Sequence, residues 1–254
     1  MEQKWKNEMK NRKKKNISKI TRMHFFKLIF RSVLFIIAIV CYISSDNETI
    51  KTLLDSFGNH SIIFFIIWLI FLVEMIFRFF PSKMESMGCQ KQFDGCYIDT
   101  GIKFNVQEKK KNNKGAVISA IAWIILNGII YFLNIKNIIS DGIMVLISLF
   151  YSVCDMICIL FFCPFQVWFM KNKCCTTCRI YNWDFAMMFT PLLLIKNFYT
   201  WSLIICAIAL LIRWEIAAIK HPERFLESSN GALSCRNCVE KLCHQKTLEY
   251  LNKK

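Results

Sequence analysis

The chain has 254 residues, a formal net charge of +15 and 55% hydrophobic residues, and its mean hydropathy is +0.35. Soluble domains average roughly 45 to 50% apolar residues even with glycine counted, so this composition excludes a typical cytosolic enzyme. The 8 Gly and 4 Pro exclude collagen-like and low-complexity chains. The 13 cysteines exceed ordinary usage without reaching that of a small disulfide scaffold. These figures predict a multi-pass membrane protein that gathers its charges and thiols in its loops.

Apolar segments in chain order define the predicted membrane helices, each of which needs about 20 mostly apolar residues. Five segments qualify, at residues 24–43, 61–80, 116–133, 143–163 and 200–219. A sixth, 185–195, is short and contains Pro191. It is open to three interpretations: a short span, a re-entrant half-helix, or a surface helix that leads into the next span. We therefore expect an all-α, polytopic bundle of five to six transmembrane helices.

The predicted domain organisation has three parts. A basic segment, 1–23, precedes a transmembrane domain, 24–219, and a basic tail with cysteines, 220–254, follows. Lys and Arg are concentrated in the first segment and in alternate loops, whereas the two other loops among the first four spans hold only Lys51 and Lys136. Because short basic loops stay cytoplasmic, this pattern predicts a cell-membrane protein with a cytoplasmic N-terminus. With six spans the tail is cytoplasmic as well, and its basic character favours that topology over five spans.

The basic loops also indicate a partner. Lys and Arg near a membrane surface attract anionic lipid head groups, so the bilayer itself is the expected partner. The run Arg12–Lys15 has no aromatic platform beside it, and we therefore expect no nucleic-acid binding.

Cysteines fall into two groups on this map. Those inside predicted spans are interpreted as small apolar side chains: Cys41, Cys154, Cys158 and Cys206. Cys163 lies at a membrane edge. Eight others fall in loops, and with six spans all of them lie on the predicted cytoplasmic side: Cys89, Cys96, Cys174, Cys175, Cys178, Cys235, Cys238 and Cys243. Because that compartment is reducing, clustered loop cysteines indicate metal binding or redox chemistry rather than structural disulfides.

The cysteine spacing points to a shared site. Cys175 with Cys178, and Cys235 with Cys238, form two Cys-x-x-Cys pairs, which together can supply four thiolates to a zinc ion or an iron–sulfur cluster. Cys174 and Cys243 are additional candidate ligands, and the Cys89 to Cys96 loop could join a second cluster. Redox-active thiols without metal, and incidental or lipidated cysteines, are the alternatives.

Ionisable residues inside the predicted spans are costly and therefore candidates for function. Glu74 and Arg78 are four residues apart, and a local ion pair accounts for them. Asp155 lies near the middle of its span, with no basic residue of its own helix in reach. Its partner must come from another helix, with Arg213 as a candidate, or it is protonated. It is the candidate proton carrier, with an ion site and a structural hydrogen bond as alternatives.

Three further charged residues have simpler interpretations. Lys27 and Arg31, near the start of the first span, are expected to extend toward water. Asp184, before the Pro191 segment, is expected to cap a helix.

No Walker, Rossmann, HExxH or GxSxG motif is present in the sequence, and enzyme activity is left open. The leading hypothesis is a membrane redox protein whose cytoplasmic thiolate centre passes electrons to a membrane partner such as a quinone, with Asp155 carrying a coupled proton. A transporter or assembly protein with a structural or sensory zinc site is the first alternative. A lipid-interacting scaffold without a metal is the second.

Overall fold

The computed structural model describes residues 19–44, 62–80, 91–102, 104–172, 174–234 and 237. Every regular element in those ranges is helical. The α-helices are α1 (Lys19–Ser44), α2 (Ile62–Phe77), α3 (Val106–Ile135), α4 (Asp141–Leu160), α5 (Asp184–Phe189) and α6 (Phe198–Lys220). Of these, α1, α3, α4 and α6 are long and apolar enough to cross a membrane. The all-helical prediction is confirmed, and the structure has four helices of spanning length in the part of the chain that it describes.

α2 and α3 differ from the predicted spans for identifiable reasons. α2 is a 16-residue helix that ends at Phe77, where Arg78 and Phe79 turn back on Met75 and Ile76. α3 starts at Val106, ten residues before the predicted span, because the side chain of Asn105 accepts hydrogen bonds from two backbone N–H groups of its first turn. The helix therefore extends through the lysine-rich stretch before its apolar part begins.

The chain reverses sharply after α4. The Phe161 and Phe162 amides both bond the carbonyl of Ile157, and Pro164 then precedes a π-helix, Phe165–Met170. Lys171 follows in the left-handed region, with φ of 52°. The compact turn returns the next segment toward the end of α4.

The short predicted segment 185–195, which contains Pro191, is part of a buried, broken helix. A 3-10 turn (Arg179–Trp183), α5 and a second 3-10 turn (Thr190–Leu194) follow one another without a single continuous α-helix. The segment packs between α4 and α6, and the side chains of Phe185 and Met188 are fully buried. A surface helix, one of the three interpretations, is therefore excluded.

Side chains satisfy the backbone carbonyls of this broken segment. The Ser148 hydroxyl donates to the Met188 carbonyl at 2.8 Å, and the Tyr131 hydroxyl donates to the Thr190 carbonyl. Thr190 in turn donates to the Ala186 carbonyl at 2.6 Å. An interrupted helix needs such partners, since backbone polar groups buried in an apolar bundle are costly without them.

Contacts along the bundle show which helix ends lie together. Tyr42 near the end of α1 and Ser140 before α4 are joined by a 3.2 Å hydrogen bond. At the opposite end, Phe25 of α1 packs on Phe161, and Arg179 pairs with Glu215 near the end of α6. We call this second end of the bundle, where α1 and α3 start and α2, α4 and α6 finish, the loop end.

A small cap closes the loop end. It consists of residues 91–102 and 222–234, which meet through an isolated antiparallel bridge between Asp99 and Asn230. Asn230 is completely buried, and its side chain donates to the carbonyls of Lys91 and Arg224 at 2.9 and 2.8 Å. Asn230 is thus the internal anchor of the cap.

Large apolar side chains cover the outside of the long helices. They include Phe26 and Ile29 on α1, Ile124 and Ile129 on α3, and Ile205 on α6, all exposed on the protein surface. Exposed apolar surface of this extent is typical of a membrane-facing protein.

Candidate functional site

Four cysteine side chains meet at the loop end. Cys163 is close enough to interact electrostatically with Cys158 and with Cys175, and its sulfur accepts a hydrogen bond from the Gln166 amide at 3.4 Å. Cys178 is close enough to interact electrostatically with Cys163 and Cys175. We call Cys158, Cys163, Cys175 and Cys178 the thiol cluster.

The turn after α4 assembles the thiol cluster. Cys158 lies on the last turns of α4, and Cys163 immediately precedes Pro164, where the chain reverses. Reciprocal bonds between Gln166 and Asn172 then close the turn: the Asn172 amide donates to the Gln166 carbonyl at 3.2 Å, and the Gln166 side chain donates to the Asn172 carbonyl at 2.9 Å. The loop that follows therefore runs back over Cys163.

The Cys-x-x-Cys pair of this loop forms a single 3-10 turn. The Cys178 amide donates to the Cys175 carbonyl at 3.0 Å. Cys178 itself follows the turn in extended backbone. The side chains of Cys175 and Cys178 are both buried.

Electrostatics differ among the loop thiols. Hydrogen bonds from Cys158, Cys175 and the Gln166 amide, the last at 3.4 Å, lower the pKa of the Cys163 thiol well below its ordinary value. The pKa of Cys175 is raised by its interaction with Cys163 and by burial. Burial raises the pKa of Cys178 to about 12. Among the loop thiols, Cys163 is therefore the most acidic.

The donors do not fit a metal centre in the part of the chain that the structure describes. No group of three His, Cys, Asp or Glu side chains is arranged there to hold a metal ion. Cys96 is exposed on the cap and Cys174 is partly buried beside the cluster. The remaining candidate ligands lie outside the described residues: Cys89, Cys235, Cys238 and Cys243. The metal site that joins Cys175 and Cys178 to Cys235 and Cys238 therefore stays a prediction.

A buried ion cluster lies in the bundle beside the thiols. Arg31 donates to Asp155 at 2.9 Å and to Glu74 at 3.0 Å, and its side chain is 3% exposed. Lys27 contacts the other oxygen of Glu74 at 3.1 Å. The expectation that Arg31 extends toward water is therefore wrong, because two carboxylates from other helices hold it inside the protein.

A second ion pair continues this cluster. Arg78 donates to Asp184 at 2.6 Å, and its guanidinium lies 4.5 Å from the ring centroid of Phe185. Asp155 is close enough to interact electrostatically with both members of the pair. We call Lys27, Arg31, Glu74, Arg78, Asp155 and Asp184 the charge cluster, which holds three cations and three carboxylates.

The partners in the charge cluster differ from the expected ones. Glu74 and Arg78 were interpreted as a local pair, but each bonds a residue on another segment. The partner of Asp155 does come from another helix, but it is Arg31, whereas Arg213 donates to the backbone carbonyl of Phe79. The structure does not test Asp155 as a proton carrier, and that role stays a prediction.

Glu215 on α6 fixes the loop that carries the Cys-x-x-Cys turn. It accepts hydrogen bonds from Arg179 at 2.7 Å and from the Trp183 indole at 2.8 Å. Asp184 accepts from the amide of Phe185 at 2.9 Å while Trp183 occupies the helix cap position. The turn is thus tied to α6 on one side and to the charge cluster on the other.

Sequence reasoning missed two members of the thiol cluster. Cys158 was interpreted as a small apolar side chain in a span, and Cys163 was noted only as lying at a membrane edge. The available signal was the sequence Cys163-Pro164, which predicts a chain reversal next to a thiol. Cys158 is also one helical turn from Asp155, so the two clusters adjoin on α4.

Comparison with known proteins finds no matching family model, no similar curated protein and no similar solved structure.

Proposed function

We propose that this chain is a membrane redox protein in which the thiol cluster passes electrons to a membrane quinone. The observation that carries the proposal is the group of cysteines at the end of an apolar helix, where the buried Cys163 is close enough to interact with both Cys158 and Cys175. A thiolate beside a protonated thiol is the arrangement that forms a disulfide when an oxidant accepts the electrons.

The reaction balances with a quinone as oxidant. The Cys163 thiolate and the thiol of a neighbouring cysteine form one S–S bond and release two electrons and one proton. A second proton comes from the surroundings, and the quinone becomes a quinol. Asp155, one helical turn from Cys158, is the carboxylate we propose as carrier of that second proton.

An aromatic surface next to Cys163 supports contact with a lipid-soluble ring. Phe162 and Trp168 pack edge to face with centroids 6.1 Å apart, and both are exposed. Both lie near Cys163 in the chain, and we propose that an apolar quinone in the bilayer docks on these two rings.

The charge pattern supports a bundle of five to six spans in the cell membrane, with the loop end cytoplasmic. The lysine-rich start of α3, with Lys110, Lys111 and Lys114 exposed, lies at that end and fits contact with anionic lipid. Reporter fusions at Lys254 test the topology, since an external tail contradicts a cytoplasmic loop end.

Quinone reduction by the purified protein tests the redox proposal. The reduced full chain in detergent is mixed anaerobically with a short-chain ubiquinone, and quinol formation is followed together with the loss of free thiols. We expect two thiols lost per quinol and loss of the reaction in Cys163→Ser. Cys206→Ser, at a cysteine of α6, is the matched control and keeps the wild-type rate.

Metal analysis of the same sample separates the redox proposal from its metal-binding alternative. Iron with labile sulfide, or stoichiometric zinc, in anaerobically purified protein would favour the site formed by Cys175, Cys178, Cys235 and Cys238. No quinol formation, whether or not a metal is found, overturns the proposal.

A second candidate function is transport, favoured by the broken helix between α4 and α6. Interrupted helices inside a bundle are a recurrent feature of transporter binding sites, and this one lies beside the charge cluster through Asp184. Proton flux into liposomes loaded with a pH-sensitive dye is the direct test. A flux that Asp155→Asn abolishes supports transport, and wild-type liposomes no more permeable than empty ones argue against proton transport.

A further inference from the structure

We propose that the broken helix between α4 and α6 binds a monovalent cation, which oxygen atoms hold where Thr190 meets Pro191. The cation enters from the end of the bundle opposite the loop end, which we call the far end. The site lies apart from the thiol cluster, and the inference does not rest on the redox function. It concerns polar side chains around the break that the redox function does not use.

Three residues on successive turns of α3 define the height of the break. Trp123, Asn127 and Tyr131 are spaced by four residues and therefore lie on one face of that helix. The Trp123 indole donates to the Thr190 hydroxyl at 3.3 Å, and the Tyr131 hydroxyl donates to the Thr190 carbonyl. Asn127 lies one turn from each of these two residues, so it is level with Thr190.

The side chain of Asn127 carries the oxygen that points to a ligand. Asn127 is 2% exposed, and its side-chain nitrogen donates to the Trp123 carbonyl at 3.0 Å. Because a carbonyl can only accept, the oxygen must be the other end of the amide. No donor among the residues that the structure describes reaches this oxygen. A buried acceptor is costly unless a donor or a cation meets it.

The other polar groups at the break also present oxygen atoms. The hydroxyls of Thr190, Ser148 and Tyr131 each donate to a backbone carbonyl of the broken segment, so lone pairs are what they can still offer. Pro191 has no amide hydrogen and cannot donate to a carbonyl of the preceding turn. Hard cations bind oxygen, and divalent ions in proteins take carboxylates among their ligands. A set of neutral oxygens therefore fits a monovalent cation.

The depth of the break agrees with such a site. Asn127 lies within three residues of the centre of the predicted span 116–133, and Ser148 lies within three residues of the centre of α4. At 1.5 Å per residue, both are about 4 Å from the middle of their apolar segments. Discontinuous helices in membrane bundles bind coupling ions at this depth, where unwound backbone supplies carbonyl oxygens.

A polar stripe on α3 connects the break with the far end. Asn134 continues the face of Asn127 and Tyr131 toward the end of the helix. Its side chain donates to the carboxylate of Asp141 at 3.2 Å. Asp141 is exposed at the start of α4, so a negative charge lies where the stripe meets water. A carboxylate in that position raises the local concentration of cations.

Thermal unfolding of the full chain in detergent tests the site. The melting temperature is measured in NaCl, KCl, LiCl and N-methyl-D-glucamine chloride at equal ionic strength, so that charge screening is the same in every sample. N-methyl-D-glucamine is the reference, because it is too large for the site. We expect at least one alkali cation to raise the melting temperature by an amount that grows with its concentration, since a ligand of the folded state stabilises that state.

Variants locate the cation. Asn127→Leu removes the oxygen at nearly constant volume, and we expect the apparent affinity for the cation to fall by about tenfold or more. Asn127→Asp keeps an oxygen in place and keeps the cation response. Asn113→Leu, at an exposed asparagine of the same helix, is the matched control and behaves as the wild type. Asp141→Asn, at an exposed residue, lowers the affinity by a smaller factor, because it removes an attraction and not a ligand.

The outcomes separate the cation site from simpler interpretations. If the wild-type chain melts at the same temperature in all four salts, the polar groups hold water only and the proposal is overturned. If Asn127→Leu responds to the cation as the wild type does, the cation binds elsewhere and the site is wrong. If Asn127→Leu does not fold, Asp141→Asn decides, and an unchanged affinity in that variant overturns the proposal. Quinol formation is measured separately, so neither result decides the other.

Discussion

Arg31 and Asp155 are joined by a 2.9 Å hydrogen bond although 124 positions separate them in the sequence. Arg31 also bonds Glu74, so one guanidinium connects α1 to α2 and α4. All three side chains lie mostly inside the protein, with 3 to 18% of each exposed. Buried charges of this kind are tolerated only when they are paired.

Replacement of Arg31 tests this connection. Arg31→Met keeps much of the volume but leaves Asp155 and Glu74 without their guanidinium, and removing one member of a buried ion pair costs about 3 to 5 kcal/mol. Unfolding in detergent micelles measures the free energy. Arg22→Met, at an exposed residue of the same helix, is the control, and an equal loss in both variants would show that the ion pairs do not stabilise the bundle.

Two glycines of α3 provide a matched pair for packing. A Cβ on Gly115 meets the Met170 sulfur and the Phe169 carbonyl oxygen, each at 2.9 Å, whereas a Cβ on Gly128 meets nothing within 4 Å. We expect Gly115→Ala to destabilise the fold by about 1 to 3 kcal/mol through overpacking. Gly128→Ala is expected to stabilise it by up to about 1 kcal/mol through helix propensity.

Thermal unfolding of both glycine variants in the same detergent gives the comparison. A Gly115→Ala protein as stable as Gly128→Ala would mean that α3 does not approach the π-helix as closely as the structure has it.

The buried Cys178 thiol is expected to make the folded chain less stable as the pH rises above 9. Burial raises its pKa from 9.0 to about 12, so between these values the folded chain keeps a proton that the unfolded chain has lost. The contribution of the protonated Cys178 thiol to the free energy of unfolding is complete below pH 9. It falls by about 1.4 kcal/mol per pH unit as the pH rises toward 12. Cys178→Ala removes this slope.

The free energy of unfolding is measured for wild type and Cys178→Ala at neutral pH and at several values above pH 9. The two curves are expected to run parallel below pH 9 and to converge above it. Cys96→Ala, at an exposed cysteine of the cap, keeps the wild-type slope. Curves that stay parallel throughout would contradict a buried, protonated Cys178.

Asn230 is predicted to hold the cap together. Asn230→Ala removes its two donated bonds and those that its side-chain oxygen accepts from Ile98 and Ala232. Each backbone carbonyl or amide that loses its partner and stays buried lowers the free energy of unfolding by about 1 to 3 kcal/mol. Limited proteolysis within residues 91–102 is expected to become at least tenfold faster.

Asn113→Ala, at an exposed asparagine of α3, is the control for the cap. If both variants are cleaved at the wild-type rate, the Asn230 hydrogen bonds do not close the cap.

The sequence allowed the helices to be predicted better than their partners. Apolar length and helix signals depend on neighbouring residues, so the regions of α1, α3, α4 and α6 were found and only their ends differ. α3 begins earlier than its predicted span because Asn105 caps a polar first turn, which a hydropathy pattern does not detect.

Side-chain pairing could not be predicted in the same way. Which face of α1 meets α4 decides whether Arg31 reaches Asp155, and helix rotation is set by packing across the whole bundle. For the same reason the motif alone joins the Cys175–Cys178 pair to the Cys235–Cys238 pair, and that site stays a prediction because Cys235 and Cys238 lie outside the described residues.

The Arg31–Asp155 bond also has a consequence for biosynthesis. A ribosome that adds about 5 to 20 residues per second needs roughly 6 to 25 s to proceed from Arg31 to Asp155. During that interval α1 holds a guanidinium whose later carboxylate partner does not yet exist. We therefore expect Glu74, which follows Arg31 by 43 residues, to pair with the guanidinium first, and the full set of ion pairs to form only when α4 emerges.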